Sequence, residues 1–380
     1  MKRKKITARK LMAPLAFLGC ALLIIRVSAG IAPFLGNFGD QAALMSALLQ
    51  MPEGGISYLN GEAEYFGPFS ESSGTSSDTS SAASSSQKSN PSSQESSSQE
   101  SSPASSEPPV RPTDAGDIVD EEFATTGSAP AYIQKGSGFI RNTTKVARDV
   151  VLAEIANKPD ITITSGSEPQ VLIMHTHTTE SYELQDADFY DKTYNARSLD
   201  NSQNLVRVGD EIVKQLEHAG IGVIHDTTVH DYPSYNGAYD RSAETVKKYL
   251  AEYPSIKVVI DVHRDAIERD GGVRVAPTTT VNGKKAAQFM IIAGCDDGTM
   301  NMPNYMQNLR FAAMIQDNAS TMFPTLARPV LFSYRHYNQD LTYGSLLVEV
   351  GGHANTLDEA IYSGELFGKA LAQTLAQLKG

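Results

Sequence analysis

Val171-Leu172-Ile173-Met174-His175-Thr176-His177-Thr178-Thr179-Glu180-Ser181-Tyr182 passes within a few residues from an apolar run to a cluster of imidazole, hydroxyl and carboxylate groups. Two other stretches change character in the same way. Val258-Val259-Ile260-Asp261-Val262-His263-Arg264-Asp265 and Leu346-Leu347-Val348-Glu349-Val350-Gly351-Gly352-His353 each start as an apolar strand and finish in side chains that bind metals or move protons. Short apolar runs of this kind read as strands buried on both faces, the habit of parallel sheets covered by helices. Ligands of open α/β sheets bind beyond the carboxyl ends of the strands. Three such ends therefore define one candidate site.

The segments around these runs alternate between helical and extended patterns. Leu205, Val208, Ile212, Leu216 and Ala219 recur at helical spacing, with Ser202 or Asn201 as N-cap and Gly220 as the stop. A strand is predicted over Ile221 to Ile224, a helix over Tyr239 to Tyr253 and a strand over Ile256 to Val262. Thr278 to Val281, Asn282-Gly283 and the residues from Lys284 onward read as a hairpin. Gln288 to Ala293 reads as a strand, Met302 to Asn318 as a helix and Leu346 to Val350 as a strand. The last helix runs to Leu378 and opens with a capping box formed by Thr356 and Glu359. Residues 127–167 read as a strand and a helix over Ala147 to Asn157. Strands alternating with helices predict an α/β fold with a mixed, mostly parallel sheet and helices on both faces.

The first part of the chain is different. Lys2, Arg3, Lys4, Lys5, Arg9 and Lys10 give a basic tail over residues 1–10, and residues 11–35 read as a membrane anchor. The uncharged part, Leu11 to Ile25, is shorter than the roughly 20 residues of a full span, but Arg26 can snorkel and the following residues are again apolar. The positive-inside rule then puts the body outside the cytoplasmic membrane on a single-pass anchor. A cleaved signal peptide ending at Val27-Ser28-Ala29 is the rival reading. A juxtamembrane segment follows over residues 36–70 and a Ser-rich linker over residues 71–130, with the catalytic domain at residues 131–380. Glu71 to Pro109 is nearly half serine, without an aromatic residue, and is expected to be disordered. The chain carries 32 basic and 44 acidic residues. With the tail set aside, such an acidic body excludes nucleic acid as a partner, because phosphate backbones reward clustered Lys and Arg. The 2 Cys, Cys20 and Cys295, are too few and too separate for a disulfide framework or a Cys-based zinc site.

A catalytic zinc takes three His or carboxylate ligands and keeps a fourth position open. His177, Glu180 and His263 supply such a set. His175, two residues from His177 on an extended chain, points to the same side and stays open as an alternative or added ligand. Glu349 interrupts an apolar run, where a carboxylate is costly unless paired or protonated. It reads as a general base whose basicity burial raises, or else as an ion pair with Arg264 or Arg335. Arg264 reads as an oxyanion donor or a holder of a peptide carboxylate, or else as a partner of Asp261 or Asp265. His218, His225, His230 and His353 read as surface residues, and His336 as a residue lining the site.

Taken together, Thr176-His177-Thr178-Thr179-Glu180-Ser181-Tyr182, Ile260-Asp261-Val262-His263-Arg264-Asp265-Ala266, Tyr337-Asn338-Gln339-Asp340-Leu341 and Leu347-Val348-Glu349-Val350-Gly351-Gly352 resemble the stage II sporulation protein P family. The resemblance covers about residues 135–380 and extends to the anchor and the Ser-rich linker. It implies a zinc amidase-like fold and a Zn2+-dependent hydrolase that cuts peptidoglycan between N-acetylmuramic acid and L-alanine, with an endopeptidase side activity. It also implies work in engulfment beside stage II sporulation proteins D and M. By similarity to the broader zinc amidases, His177 and His263 take the roles of the two ligating His and Glu349 that of the catalytic Glu. Asn201 and Asn204 stand where those amidases have a ligating Glu, and Glu180 is the substitute. Substrate contacts are expected from Tyr182, Tyr334 and Tyr337. Two other readings remain: a non-catalytic wall-binding scaffold, and another exported metallohydrolase such as a polysaccharide deacetylase.

Overall fold

The three apolar runs form adjacent parallel strands, and their alternation decides which side chains share a face. The computed structural model describes residues 109–164 and 166–380. The basic tail, the anchor, the juxtamembrane segment and the Ser-rich tract up to residue 108 lie outside the described residues. Among the described residues no helix is long and apolar enough to cross a membrane.

In chain order the elements begin with β1 (Ala115–Glu121), β2 (Tyr132–Lys135), β3 (Gly138–Asn142), α1 (Arg148–Ile155), β4 (Gly166–Met174) and β5 (Phe189–Asp191). They continue with α2 (Leu205–His218), β6 (Ile221–His225), α3 (Ala238–Glu252), β7 (Val258–Asp265), β8 (Glu268–Arg269) and β9 (Val273–Val281). The last six are β10 (Lys284–Ala287), β11 (Phe289–Gly294), α4 (Tyr305–Met322), β12 (Val330–Ser333), β13 (Gly344–Gly352) and α5 (Leu357–Ala376). The main sheet has eight strands in the order β2-β3-β12-β11-β13-β7-β4-β6. Its β2–β3 and β11–β13 pairs are antiparallel and the others parallel, so the sheet is mixed and mostly parallel, as predicted.

Successive residues of a strand point to opposite faces, and the two faces carry different cores. Val171, Ile173, Val258, Ile260, Val262, Leu346, Val348 and Val350 join the large core with residues of α1, α2, α4 and α5. Leu172, Met174 and Val259 instead pack with Val246 of α3 and with Ile256. Helices therefore lie on both faces, unequally, with α3 alone on the second among the described residues. The same alternation puts Asp261, His263, Leu347 and Glu349 on the α3 side. Strand register completes the arrangement: Met174 lies opposite Asp261, Asp261 opposite Leu347, and His263 opposite Glu349.

A second sheet has the order β10-β9-β1-β5, with β8 also on β9. It holds the predicted hairpin, whose Asn282 and Gly283 both have positive φ (51° and 79°), the conformation an Asn-Gly hairpin turn requires. It also corrects the domain reading, which ran the linker to residue 130. β1 lies within that stretch and pairs parallel with β9 and antiparallel with β5. A local composition argument cannot find such a strand, because its hydrogen bonds come from segments far along the chain. Gly116 lets it fit: a Cβ there would stand 2.2 Å from the ring of Tyr190 in β5.

Other boundaries move for local reasons. The N-cap of α2 is Asn204, whose side chain accepts from Val206 N, in place of Ser202 or Asn201. α4 begins at Tyr305 instead of Met302, because the Asp296 carboxylate accepts the main-chain N–H groups of Gly298, Met300 and Met302 and holds that segment as a loop. The capping box of α5 is present as predicted.

Candidate functional site

β4, β7 and β13 run parallel, so their carboxyl ends emerge together and carry the chain of His177 and Glu180, then His263, then Glu349. The rings of His177 and His263 lie 5.2 Å apart, nearly perpendicular. His263 Nδ1 is 3.7 Å from Glu180 Oε2. Its Nε2 is 3.0 Å from Asp261 Oδ1, a charge contact off the line of a hydrogen bond. Asp261 is oriented by Thr176, whose main-chain N and Oγ1 donate to its two oxygens at 2.8 and 2.7 Å. Aromatic rings flank both His. Tyr235 stacks on His177 at 4.3 Å, and Tyr239 lies parallel to His263 at 6.2 Å with Tyr337 stacked on it at 5.3 Å.

The electrostatics of the two His differ. Burial, then the positive groups of His263 and Arg197, hold His177 well below the usual imidazole range, so it is neutral. Burial also works against charge on His263, but Asp261, Glu180 and Glu349 together outweigh it and push that ring up to about 10. Glu349 is the other unusual group. Its Oε2 is closed from solvent and has no hydrogen-bond partner. Burial, and then the carboxylate of Asp265, push it up to about 8. Asp265 itself is paired with Arg328 at 2.9 Å.

Fit to a metal ion can be judged from the donors. Among the described residues no three His, Cys, Asp or Glu side chains stand close enough, as placed, to enclose an ion. The donor chemistry nevertheless suits zinc: two imidazoles and a carboxylate, with His177 Nδ1 buried and without a hydrogen-bond partner and His263 Nδ1 turned to Glu180 at 3.7 Å. Orphaned nitrogens of this kind are rare in protein interiors. The residues present fit zinc by type, and ion binding has to displace the proton that the carboxylates hold on His263.

Several sequence readings change here. His175 points to the opposite sheet face, where Nδ1 meets Val262 O at 3.1 Å and Nε2 meets His225 Nε2 at 3.0 Å, so both nitrogens are committed to protein partners. The pair packs on Gly209, where a Cβ would stand 2.4 Å from the His225 ring. Arg264, expected as an oxyanion donor, a holder of a peptide carboxylate or a partner of Asp261 or Asp265, is buried and holds the main chain instead. Its Nε donates to Ser181 O at 2.6 Å, Nη2 to Ala196 O at 3.1 Å and Nη1 to Asp265 O at 3.3 Å. Arg264 therefore clamps the loop that carries Glu180. The suggested partners of Glu349 fall with it: Arg264 is engaged as described, and Arg335 donates to Tyr334 O. His230 and His353 are buried and His225 is half-buried, not surface residues; His230 is held between His175 O and Thr245 Oγ1, and His225 against His175. Tyr182 is buried, its hydroxyl donating to Val350 O, which removes it from the substrate-facing set. Tyr334 receives the Lys145 N–H on its hydroxyl and packs on the large core. His336 lies 3.2 Å from Asp340.

Asp231, Tyr235, Tyr239 and Arg197 carry no sequence signal for this site, and Asp261 reads there only as a partner of Arg264. For Asp261 a signal existed: like Glu349 it breaks an apolar run, and it stands two residues before His263 on the same face. Tyr239 opens the predicted helix but carries no mark of the site there, and Arg197, Asp231 and Tyr235 come from irregular segments.

The fold and the site together define an α/β protein with two His and two carboxylates gathered at the ends of parallel strands. A family model for stage II sporulation protein P (SpoIIP) matches residues 53–372. The chain belongs to that family. Stage II sporulation protein P of Bacillus subtilis (strain 168) is 28% identical in an alignment 231 residues long that covers 57% of this chain and 54% of that protein. The match thus spans about half the length of the curated relative. Solved structures similar to the chain include the N-acetylmuramoyl-L-alanine amidase AmiC2 of Nostoc punctiforme, at 12% identity and a TM-score of 0.32, covering 56% of this chain and 98% of that one. The CwlD amidase from Clostridioides difficile, solved in complex with the GerS lipoprotein, covers 55% of this chain and 98% of its own at 11% identity and a TM-score of 0.35.

The raised carboxyl of Glu349 has a consequence for stability. From about pH 4.5 to about 8 the folded protein keeps a proton on Glu349 that the unfolded chain has lost, so stability falls as pH rises through that window. Glu349→Gln removes the cost. In chelator the variant should match the wild type near about pH 5 and exceed it by roughly 1–3 kcal/mol near about pH 8.5, the scale of one unsatisfied buried polar group. Thermal melts at both pH values check this. A variant less stable than wild type at the alkaline end would contradict it.

Proposed function

We propose that this protein is a zinc-dependent amidase that cuts peptidoglycan between N-acetylmuramic acid and L-alanine during sporulation. The observation that carries the reading is the convergence of His177, Glu180, His263 and Glu349 at three parallel strand ends, with buried donor atoms left unpartnered. His177, Glu180 and His263 would hold the ion. The chemistry such an ion supplies is polarisation of an amide carbonyl and acidification of the attacking water. The protein's own part is proton transfer and positioning. Glu349, as carboxylate, takes the proton from the attacking water and returns it to the leaving amine of L-alanine. Asp265 and burial raise its basicity, and Asp261 and Thr176 fix the ring of His263. Arg264 holds the Glu180 loop in place through the carbonyls of Ser181 and Ala196.

The test is digestion of purified sacculi by the full chain, with products separated and weighed. Stem peptides with a free L-alanine amino group are expected, lost on chelation and restored by zinc. Glu349→Gln should keep zinc and sacculus binding while turnover falls by about 10²–10⁴, the usual contribution of a positioned general base. Glu349→Gln working at full rate, or products that keep the muramoyl–alanine bond, would overturn the reading; unaltered sacculi with tight binding would favour a scaffold.

The proposal includes location: an uncleaved anchor over residues 11–35 with the body outside the cytoplasmic membrane, supported by the basic start followed by an apolar run. A reporter active only outside the cell, fused after residue 70, should give signal. Silence of that fusion in an expressed protein would contradict the topology.

A further inference from the structure

Arg197 stands in the segment between β5 and α2, and a short ladder brings it to the site. Ser181 N donates to Ala196 O at 2.9 Å and Ser198 N to Thr179 O at 2.8 Å, so Arg197 lies directly opposite Glu180 in an antiparallel bridge. Opposed residues of such a bridge project to one side. The preceding residue, Ala196, has φ of 49°, a conformation that a non-glycine residue keeps only where its surroundings enforce it. The enforcing contacts are the Ser181 N–H and the Arg264 guanidinium, both donating to Ala196 O.

The Arg197 side chain is itself buried, with 8% exposure, and touches three groups. Nη1 donates to Asp231 Oδ2 at 2.8 Å and to Thr179 Oγ1 at 3.0 Å. Nη2 is 3.7 Å from Glu180 Oε1, an ion-pair distance, while the other carboxylate oxygen, Oε2, receives the Arg264 main-chain N–H at 3.3 Å. The guanidinium plane lies over the Tyr235 ring at 5.2 Å, and that ring stacks on His177 at 4.3 Å with 10° between planes. Asp231, closed from solvent, also receives the main-chain N–H and hydroxyl of Thr179, one residue before Glu180. One guanidinium thus touches the carboxylate of Glu180 and backs the ring that fixes the plane of His177, although Glu180 and Tyr235 come from different loops.

We infer that Arg197 is a positioning residue that sets the geometry of two metal ligands at once, orienting the Glu180 carboxylate directly and the His177 ring through Tyr235. The inference rests on the zinc reading of His177, Glu180 and His263. Groups that orient metal ligands in this way commonly govern affinity by about 10–100-fold. Arg suits the task where Lys does not, since only a planar fork can pair with carboxylates and stack on an aromatic face together.

The experiment measures zinc affinity by chelator competition, and the visible spectrum of the cobalt(II)-loaded full chain. The variants are Arg197→Met, Arg197→Lys and Tyr194→Phe, with Arg197→Met/Asp231→Asn used where an unpaired buried Asp231 prevents folding. Tyr194 is the control because its hydroxyl bonds Ser181 and the Tyr182 carbonyl in the same loop without touching His177 or Glu180. Arg197→Met should lose about 10–100-fold in zinc affinity and change the cobalt spectrum, Arg197→Lys should fall between, and Tyr194→Phe should keep the wild-type spectrum. A folded Arg197→Met with affinity within about twofold of wild type and an unchanged spectrum would overturn the inference alone. Equal losses in Tyr194→Phe would also overturn it, since they would mark a loss of loop stability. A wild-type chain that takes up neither metal would remove the zinc reading itself.

Discussion

The register between β7 and β13 is the constraint on which the site depends. It sets His263 beside Glu349 and Asp261 beside Leu347, and the β4 pairing adds Met174 opposite Asp261. A shift of one residue would send these polar side chains to the face lined by Val258, Ile260, Val348 and Val350, inside the large core. Register is strongly specified because both faces are apolar elsewhere. The hydrophobic pattern of three short strands therefore fixes where chemistry can happen.

What that pattern brings together is an excess of negative charge under cover. Glu180, Asp261 and Glu349 surround His263, and the ring responds by holding a proton up to about 10. Arg197, Arg264 and Arg328 approach from outside and are occupied by Asp231, by loop carbonyls and by Asp265. The proton on His263 is thus the internal counter-charge of the cluster in the absence of metal. A divalent cation could take over that role, and metal uptake should release protons. Burial, and then the neighbouring carboxylate of Asp265, raise the carboxyl of Glu349 in the same cluster.

Much of the fold could be read along the chain because it follows from local periodicity. The apolar runs of β4, β7 and β13, the spacing of Leu205, Val208, Ile212 and Leu216, the Asn282-Gly283 turn and the Thr356–Glu359 box each carry their own signal. β1 carried none. Its sequence, AGDIVDE, follows a Ser-rich tract and becomes a strand only through β9 and β5. At the site, chemistry-bearing residues at strand ends were visible, whereas contacts made across loops were not. Along the chain Arg264 reads as an oxyanion donor, whereas its guanidinium donates to the carbonyls of Ser181 and Ala196. His175 looked equivalent to His177 because two residues of an extended chain share a side. The strand ends at Met174, and His177 turns instead toward Tyr235.

The most direct test of the account is an anomalous diffraction map at the zinc absorption edge from crystals grown with zinc. One peak is predicted, bounded by His177, Glu180 and His263, with ligand distances of about 2.0–2.2 Å and Glu349 beside it without coordinating. A peak between His175 and His225, or no peak in crystals holding zinc in the mother liquor, would contradict the account.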